Sequence, residues 1–465
     1  MCGEKTHGLQ AAGHACLALW HQCISFTPVN KKVLVITYYW PPSGGAGVQR
    51  WLKFVKYMRN FGWEPVVYTA SNAEMPVIDK SLEKEIPAGI TVLKTPIWEP
   101  YDIYKKFTGR KKEDRINASF LNEGKKGGFT QKLSVWIRGN FFIPDARRFW
   151  IKPSINYLVD YVRQNNIRHV VSSGPPHSMH LIALGLKKAL PELNWVADFR
   201  DPWTHIDFYD KLMLSPPADK KHKRLELKVI AHADRVLSIG TQMSDEFADI
   251  LFNKTGTRPD KFRVITNGYD REDIPQSKGE KDRKFSLAHI GTLVKDRNPD
   301  VLWRTLRELV NENQAFEAQL EIKLVGKVDV FVREEIEKHG LSRYVRNIDY
   351  LPHNEVIAEQ QRSHVLLLLV NNTKNAKGIL TGKFFEYLAS GAPVLAIGPE
   401  DGELAGIIKE TGCGFVSGFN NHELLKQQLL KLFTGQLPAR NEKAAQSYDR
   451  RELTKKLCEL LNGLN

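Results

Sequence analysis

The chain has 465 residues, 42% of them hydrophobic and 26% charged, which is enough for two domains of ordinary size with separate cores. No uninterrupted apolar run approaches the ~20 residues that span a bilayer; the nearest, residues 15–26, is broken by His21 and Gln22. The formal charge of +14 leaves three classes of anionic partner open: nucleic acid, a membrane surface, or phosphorylated small molecules.

Residues 1–30 carry Cys2, Cys16 and Cys23 and lack the charged start and long apolar centre of a signal peptide, so they read as an extension that does not conform to the rest of the chain. An odd number of cysteines without paired metal spacing predicts a reducing, cytoplasmic setting and no metal site. The first domain is expected over residues 31–270. Residues 33–37 (VLVIT) form a buried-strand pattern that runs into YYWPPSGGAGVQR, a helix over 48–60 and a second strand over 65–68. That is a β-α-β unit whose turn holds Gly44, Gly45 and Gly47. Glycines there let the backbone approach a ligand with its N–H groups facing an anion, or simply make a turn.

Residues 71–140 read as loop-rich and irregular, with 124–128 (GKKGG) as a loop tip. Residues 101–152 carry 13 Lys/Arg against 5 Asp/Glu, interleaved with Tyr104, Phe107, Trp136, Phe141, Phe142, Phe149 and Trp150. Basic and aromatic residues together suit contact with membrane headgroups and also a platform for single-stranded nucleic acid. No RNA- or DNA-binding module is present in the sequence, which favours the membrane. Regular structure returns with a helix ending at 159–165, a strand over 169–173, a helix over 179–190 and a strand over 195–199. The two strands run into Ser173-Gly-Pro-Pro-His-Ser178 and Asp198-Phe-Arg-Asp-Pro-Trp203. His177, Asp198, Arg200 and Asp201 therefore crowd the carboxyl ends of strands, where open α/β sheets place ligand contacts. They form either a catalytic cluster or an Arg–Asp structural pair with His177 capping a helix. A basic helix over 220–234, a strand over 235–239, a helix near 244–252 and a strand with an Asn-Gly turn over 262–268 come next. The polar run 271–283 is the expected linker.

A second α/β series, expected as a domain over 284–440, begins with a strand over 285–290. Helices and strands then alternate through 299–311, 319–325, 331–338, 345–350 and 365–370. In TGKFFEYLASGAPVLAIG (381–398), a helix over 383–390 should stop at Gly391 in a left-handed cap, with a strand buried on both faces at 394–397. Glu386 is placed to accept hydrogen bonds from sugar hydroxyls. Lys383, one turn earlier, is placed to meet a phosphate beside the free N–H groups of the helix start. Charge for phosphate and a carboxylate for hydroxyls point to a nucleotide sugar; two solvated residues on a helix face are the plain alternative. A helix over 402–411, a strand over 414–417 and helices over 422–432 and 451–461 complete the chain.

The stretch KFFEYLASGAPVLA resembles the donor-site motif of the retaining family-4 glycosyltransferases of GT-B fold, of the bacterial cell-surface polysaccharide type. That family's motif reads Glu-x7-Glu. Glu386 matches the second Glu, which holds the donor ribose; the first, beside the transferred sugar, falls at Gly378. Lys383 matches a Lys on the donor diphosphate. His289-Ile-Gly-Thr-Leu-Val-Lys-Asp-Arg297 takes the place of the family's Gly-Arg-Leu-…-Lys phosphate contact: Gly291 matches, Thr292 replaces the Arg, and Arg297 stands where the Lys is usual, with Lys295 close by. An Arg offers a bidentate fork to a pyrophosphate.

The resemblance implies two doubly wound Rossmann-like domains facing a cleft, the acceptor on the first and a nucleotide-diphospho-sugar on the second. It places the glycine loop near the donor, the segments around His177 and Asp198–Asp201 on the acceptor side, and the helix within 441–465 back against the first domain. The implied reaction is glycosyl transfer with retention to a glycan or lipid-linked acceptor, at the cytoplasmic face of the membrane. No cofactor, metal or nucleic acid is implied, since Lys383, Arg297, the glycine loop and helix N-termini can neutralise the leaving diphosphate. Two other classes stay open: a sugar-nucleotide epimerase of the same fold, and a non-catalytic scaffold that binds an anionic surface.

Overall fold

The computed structural model describes residues 31–75, 77–99, 129–274, 279–349 and 351–464. The expectations for residues 1–30 and for the basic stretch 101–128, with its GKKGG tip, lie outside the described residues.

Apolar runs too short for helices and bounded by glycine or polar turns give two wholly parallel sheets. The first holds β1 (Lys32–Ile36), β2 (Glu64–Ala70), β3 (Thr91–Thr95), β4 (His169–Gly174), β5 (Asn194–Phe199), β6 (Arg235–Ser238) and β7 (Phe262–Val264), in the order β3-β2-β1-β4-β5-β6-β7. The second holds β8 (Phe285–Ile290), β9 (Leu320–Val325), β10 (Val345–Ile348), β11 (Val365–Leu369), β12 (Val394–Ile397) and β13 (Gly414–Ser417), in the order β10-β9-β8-β11-β12-β13. Around the first sheet lie α1 (Ala46–Met58), α2 (Phe129–Phe141), α3 (Ile151–Gln164), α4 (Ser178–Ala189), α5 (Pro216–His232) and α6 (Thr241–Thr255). Around the second lie α7 (Asp300–Glu312), α8 (Gln314–Gln319), α9 (Val330–Lys338), α10 (His353–Arg362), α11 (Gly382–Ser390), α12 (Glu403–Thr411), α13 (His422–Phe433) and α14 (Glu442–Gln446); α15 (Arg450–Asn462) ends the chain. This is the GT-B arrangement of two Rossmann-like domains.

The strand order decides where a ligand can sit. β1 lies between β2 and β4, and β8 between β9 and β11, so chain direction across each sheet reverses beside its first strand. A crevice opens beyond the strand ends at such a switch point. The glycine-rich segment comes after β1 and Gly291–Arg297 after β8, so both expected phosphate loops emerge at a switch point.

Residues 71–140 are less irregular than the sequence predicts. β3 pairs in parallel with β2 at the sheet edge, and α2 runs over Phe129–Phe141. The strand is short and only half-buried, so it lacks the apolar run of its neighbours. Gly139 near the end of α2 weakens the helical signal, but the helix approaches the chain at Leu212 so closely that an added Cβ would lie 2.7 Å from its carbonyl oxygen.

The first domain is built around a buried ion pair. Arg50 in α1 and Asp198 at the end of β5 are 1% and 0% exposed. Arg50 donates from Nη2 at 2.7 Å and from Nε at 3.1 Å to Asp198, which also accepts from Trp51 Nε1 at 2.8 Å and Ser173 Oγ at 2.9 Å. Burial alone would raise the Asp198 pKa, but Arg50 and the other donors outweigh it and hold it below the ordinary value. Arg50 further donates to the carbonyls of Ile265 and Thr266 at 2.9 Å, just beyond β7. The structural pair is thus Arg50–Asp198, with Asp198 wholly buried.

Two segments cross between the domains side by side. Tyr269 N donates to Tyr448 O at 3.1 Å and Arg450 N to Tyr269 O at 2.8 Å. Their closeness needs glycine at 268, where a Cβ would lie 2.1 Å from the Tyr448 carbonyl oxygen. Beyond the crossing, α15 lays Leu453, Leu457 and Leu461 against Trp51, Phe54 and Met58 of α1. The spacing of four residues puts these leucines on one helical face.

Asp198→Asn should leave the Arg50 guanidinium buried without its charge partner and lower unfolding stability by about 3–5 kcal/mol. Urea unfolding followed by tryptophan fluorescence measures this; a loss under about 1 kcal/mol, the scale of an exposed pair, would contradict the role given to the pair.

Candidate functional site

The second domain's wall is made by the loop after β8 and the start of α11. Gly291 has φ +116°, a backbone shape that favours glycine, and a Cβ built on it would stand 2.1 Å from Lys383 Nζ. The half-buried Lys383 ammonium therefore lies directly over the Gly291 backbone. Tyr387, one turn further along α11, fixes the helix to the sheet by accepting from Ile290 N at 3.2 Å. Arg297 is aimed by Asn371 Oδ1, which accepts from its Nε at 2.6 Å. The two cations feel each other: burial first, and then Arg297, lower the Lys383 pKa, with Glu386 opposing. Burial also lowers that of Arg297, and both cations help to push buried His289 down to about 4. Like charges gathered at a switch point, beside a helix start that no side chain caps, form a receptor for an anion. Glu386 is exposed on the adjoining face of α11.

The other wall comes from the first domain. Gly44, Gly45 and Gly47 lie at the start of α1, and Gly45, at φ +89°, occupies the N-cap position. A Cβ on Gly47 would be 3.0 Å from Arg200 Nη1. Arg200 is mostly buried and donates to Gly47 O at 2.7 Å and to Pro175 O. It joins the glycine loop to the Pro-Pro loop after β4. His177 is also mostly enclosed, stacked on Trp203 at 4.4 Å with an interplanar angle of 1°. Burial, then His180, His222 and Arg200, press its pKa well below the ordinary value, which keeps the ring neutral. It does not cap α4: Asp145 does, accepting from Ser178 N at 2.9 Å and Ser178 Oγ at 2.8 Å. Of the four residues expected to be catalytic, only Asp201 is exposed. Protein crowding around its carboxylate raises its pKa, with Arg200 opposing and Asp207 adding to the rise.

The two walls meet. Asp207 of the first domain acts on Arg297 of the second as well as on Asp201, so the candidate donor and acceptor groups share one electrostatic neighbourhood. At another contact, Gln242 N at the start of α6 donates to Glu403 Oε1 of α12 at 2.6 Å. Gln242 also fills the space beside Gly378, where a Cβ would lie 2.9 Å from its Oε1. The position of the missing first Glu is thus covered by a side chain from the opposite domain. Sequence reasoning missed Arg50, Asn371, Asp207 and Gln242. Arg50 and Lys53 set among the apolar residues of VQRWLKFV were the available signal for Arg50, whereas the other three gain their meaning only from folding.

Residues 270–450 match the family model for Glycosyl transferases group 1. No curated protein matches the chain by sequence. Among solved structures, the chain is similar to a sucrose-phosphate synthase from Thermosynechococcus elongatus, at 11% identity and TM-score 0.56, with 93% of this chain and 99% of that one covered. It is similar to the lipopolysaccharide outer core galactosyltransferase WaaB, at 12% identity and TM-score 0.58, with 93% and 99% covered. It also resembles HepE from Anabaena, solved in complex with UDP-glucose, at 12% identity and TM-score 0.54, with 93% and 99% covered. At such identities the likeness establishes the fold, two Rossmann-like domains in the GT-B manner.

Proposed function

We propose that the protein is a glycosyltransferase that moves a sugar from a nucleotide-diphospho-sugar to a glycan or lipid-linked acceptor, with retention, in the synthesis of a surface polysaccharide. The observation that carries this reading is the Lys383 ammonium seated over Gly291 with Arg297 beside it, at the switch point of the domain that matches the family model. A diphosphate leaving group needs fixed positive charge where its own charge develops. Lys383, Arg297 and the N-terminus of α11 supply it from this chain's own residues. Glu386 would hold the ribose hydroxyls, Asp201 would face the acceptor, and Arg200 would keep the glycine loop in place. Gln242 would stand near the transferred sugar in place of the acid absent at 378.

The acceptor side of the reading draws on an exposed aromatic surface. Trp98 and Phe141 are 55% and 58% exposed, and Trp136 and Phe149 are also exposed. Trp98 packs edge-on to Phe149 at 4.8 Å, Trp136 to Phe141 at 5.6 Å, and Arg148 lies over Phe149 at 5.4 Å. Aromatic rings beside cations suit the headgroup layer of an anionic bilayer, where a lipid-linked acceptor would be met. No helix among the described residues is long and apolar enough to cross a membrane.

Lys383→Ala and Glu386→Ala should each weaken nucleotide-sugar binding by about tenfold to a hundredfold, the worth of one charge-assisted hydrogen bond. Calorimetry on variants with unchanged circular dichroism checks this, and wild-type affinity in either would remove that residue from the site. The protein should sediment with anionic but not neutral vesicles and be released by high salt, since headgroup attraction fades within a Debye length of roughly 8 Å at physiological ionic strength. Phe141→Ser combined with Trp136→Ser should weaken sedimentation without changing donor affinity; equal binding to neutral vesicles would sink the membrane reading.

A further inference from the structure

A second cavity, of about 140 Å³, lies against the interdomain crossing and on the face of α11 that carries Gly382, Glu386 and Ser390. Its polar lining has an imbalance that the glycosyl-transfer reading does not use. Arg450, the first residue of α15, is 6% exposed and its Nη1 has no hydrogen-bond partner among the described residues. Gln360, on α10 of the second domain, is 1% exposed and its Nε2 has none either. Both line this cavity. Buried polar groups in folded proteins are normally paired, and two unpaired donors in one cavity are a specific exception.

Of the three acids that line the cavity, Asp270, Asp273 and Glu386, the two aspartates are taken by other partners. Lys53 Nζ lies 2.8 Å from Asp270 and 3.0 Å from Asp273, and Lys56 Nζ 2.8 Å from Asp270. Tyr57 donates to Asp270 as well, at 2.7 Å. The two aspartates are thus engaged by lysines, while the Arg450 guanidinium makes no ion pair among the described residues. Burial, and then Arg50, act against its charge, with Asp270, Asp273 and Asp198 opposing. A ligand that satisfies two N–H donors, one of them cationic, must offer several acceptor oxygens and negative charge.

We propose that this cavity binds a small oxyanion of phosphate type, held between Arg450 and Gln360. Because Arg450 begins the helix that packs on α1, while Gln360 belongs to the second domain, the bound anion would bridge the domains beside the paired crossing segments. It would tie the two domains together at the crossing. Glu386, given above to the donor ribose, also lines this cavity, so the site adjoins the donor pocket; its two donors are distinct from Lys383 and Arg297 and do not require that the protein transfer a sugar.

The test is calorimetric titration of the full chain with inorganic phosphate, without nucleotide sugar and at low ionic strength. Saturable binding is expected, weakened about tenfold or more by Arg450→Gln and also reduced by Gln360→Leu, which changes no charge and keeps the measurement decisive if the first variant folds poorly. Phosphate also has access to the Lys383–Arg297 corner, so the titration is repeated in Lys383→Ala, where the binding that depends on Arg450 and Gln360 should persist. A nucleoside monophosphate titrated in parallel separates the two sources of the anion: under the proposal it gains nothing over inorganic phosphate at this site. Absence of saturable phosphate binding, equal binding by the Arg450 and Gln360 variants, loss of binding in Lys383→Ala, or a monophosphate preference that needs both Arg450 and Lys383 would each overturn it.

Discussion

The pairing of Arg50 with Asp198 is the constraint on which the rest of the first domain depends. It joins α1 to the end of β5 and, through the Ile265 and Thr266 carbonyls, to the chain just before it leaves for the second domain. A buried charge pair of this kind gives little net stability over an apolar substitute, but removing one partner is costly, so the geometry is over-determined once both are present. With α1 fixed from beneath, its glycine-rich start is held at the β1 switch point, and its other face is free to receive α15. The same helix therefore shapes one wall of the cleft and anchors the end of the chain.

The second domain solves a different problem. Its cleft wall must hold two cations close together. The Gly291 backbone lets the Lys383 ammonium approach without a side chain in the way, and Asn371 directs Arg297 toward the same region. Their mutual repulsion is unfavourable, and an anionic group placed between them would relieve it. Across the cleft, the Asp207 carboxylate favours the charge on Arg297 and adds to the rise of the Asp201 pKa, so the two walls share one electrostatic neighbourhood.

Much of the frame was legible because it rests on local signals. The apolar runs at 33–37, 285–290 and 365–370 lie in buried strands, and Gly391 ends α11 at φ +78° in the left-handed cap its position predicts. Lys383 and Gly291 were readable as separate motif residues, though not their contact, which spans more than ninety positions. What failed to show was whatever depends on distant partners. Arg50 and Asp198 are separated by 148 positions, so the acid read as a cluster member beside Arg200, when its charge is taken up from another helix. His177 looked like a helix cap, but Asp145, coming from an earlier loop, holds that helix start. β3 escaped notice because an edge strand is buried on one side only and needs no long apolar run.

The central claim is transfer of a sugar across this cleft, and the most direct measurement is release of nucleoside diphosphate from a panel of nucleotide sugars, with and without a lipid-linked acceptor. The account predicts that one donor is consumed when the acceptor is present, with the product keeping the donor's anomeric configuration. Release at the same rate without acceptor, or no release from any donor under either condition, would contradict it.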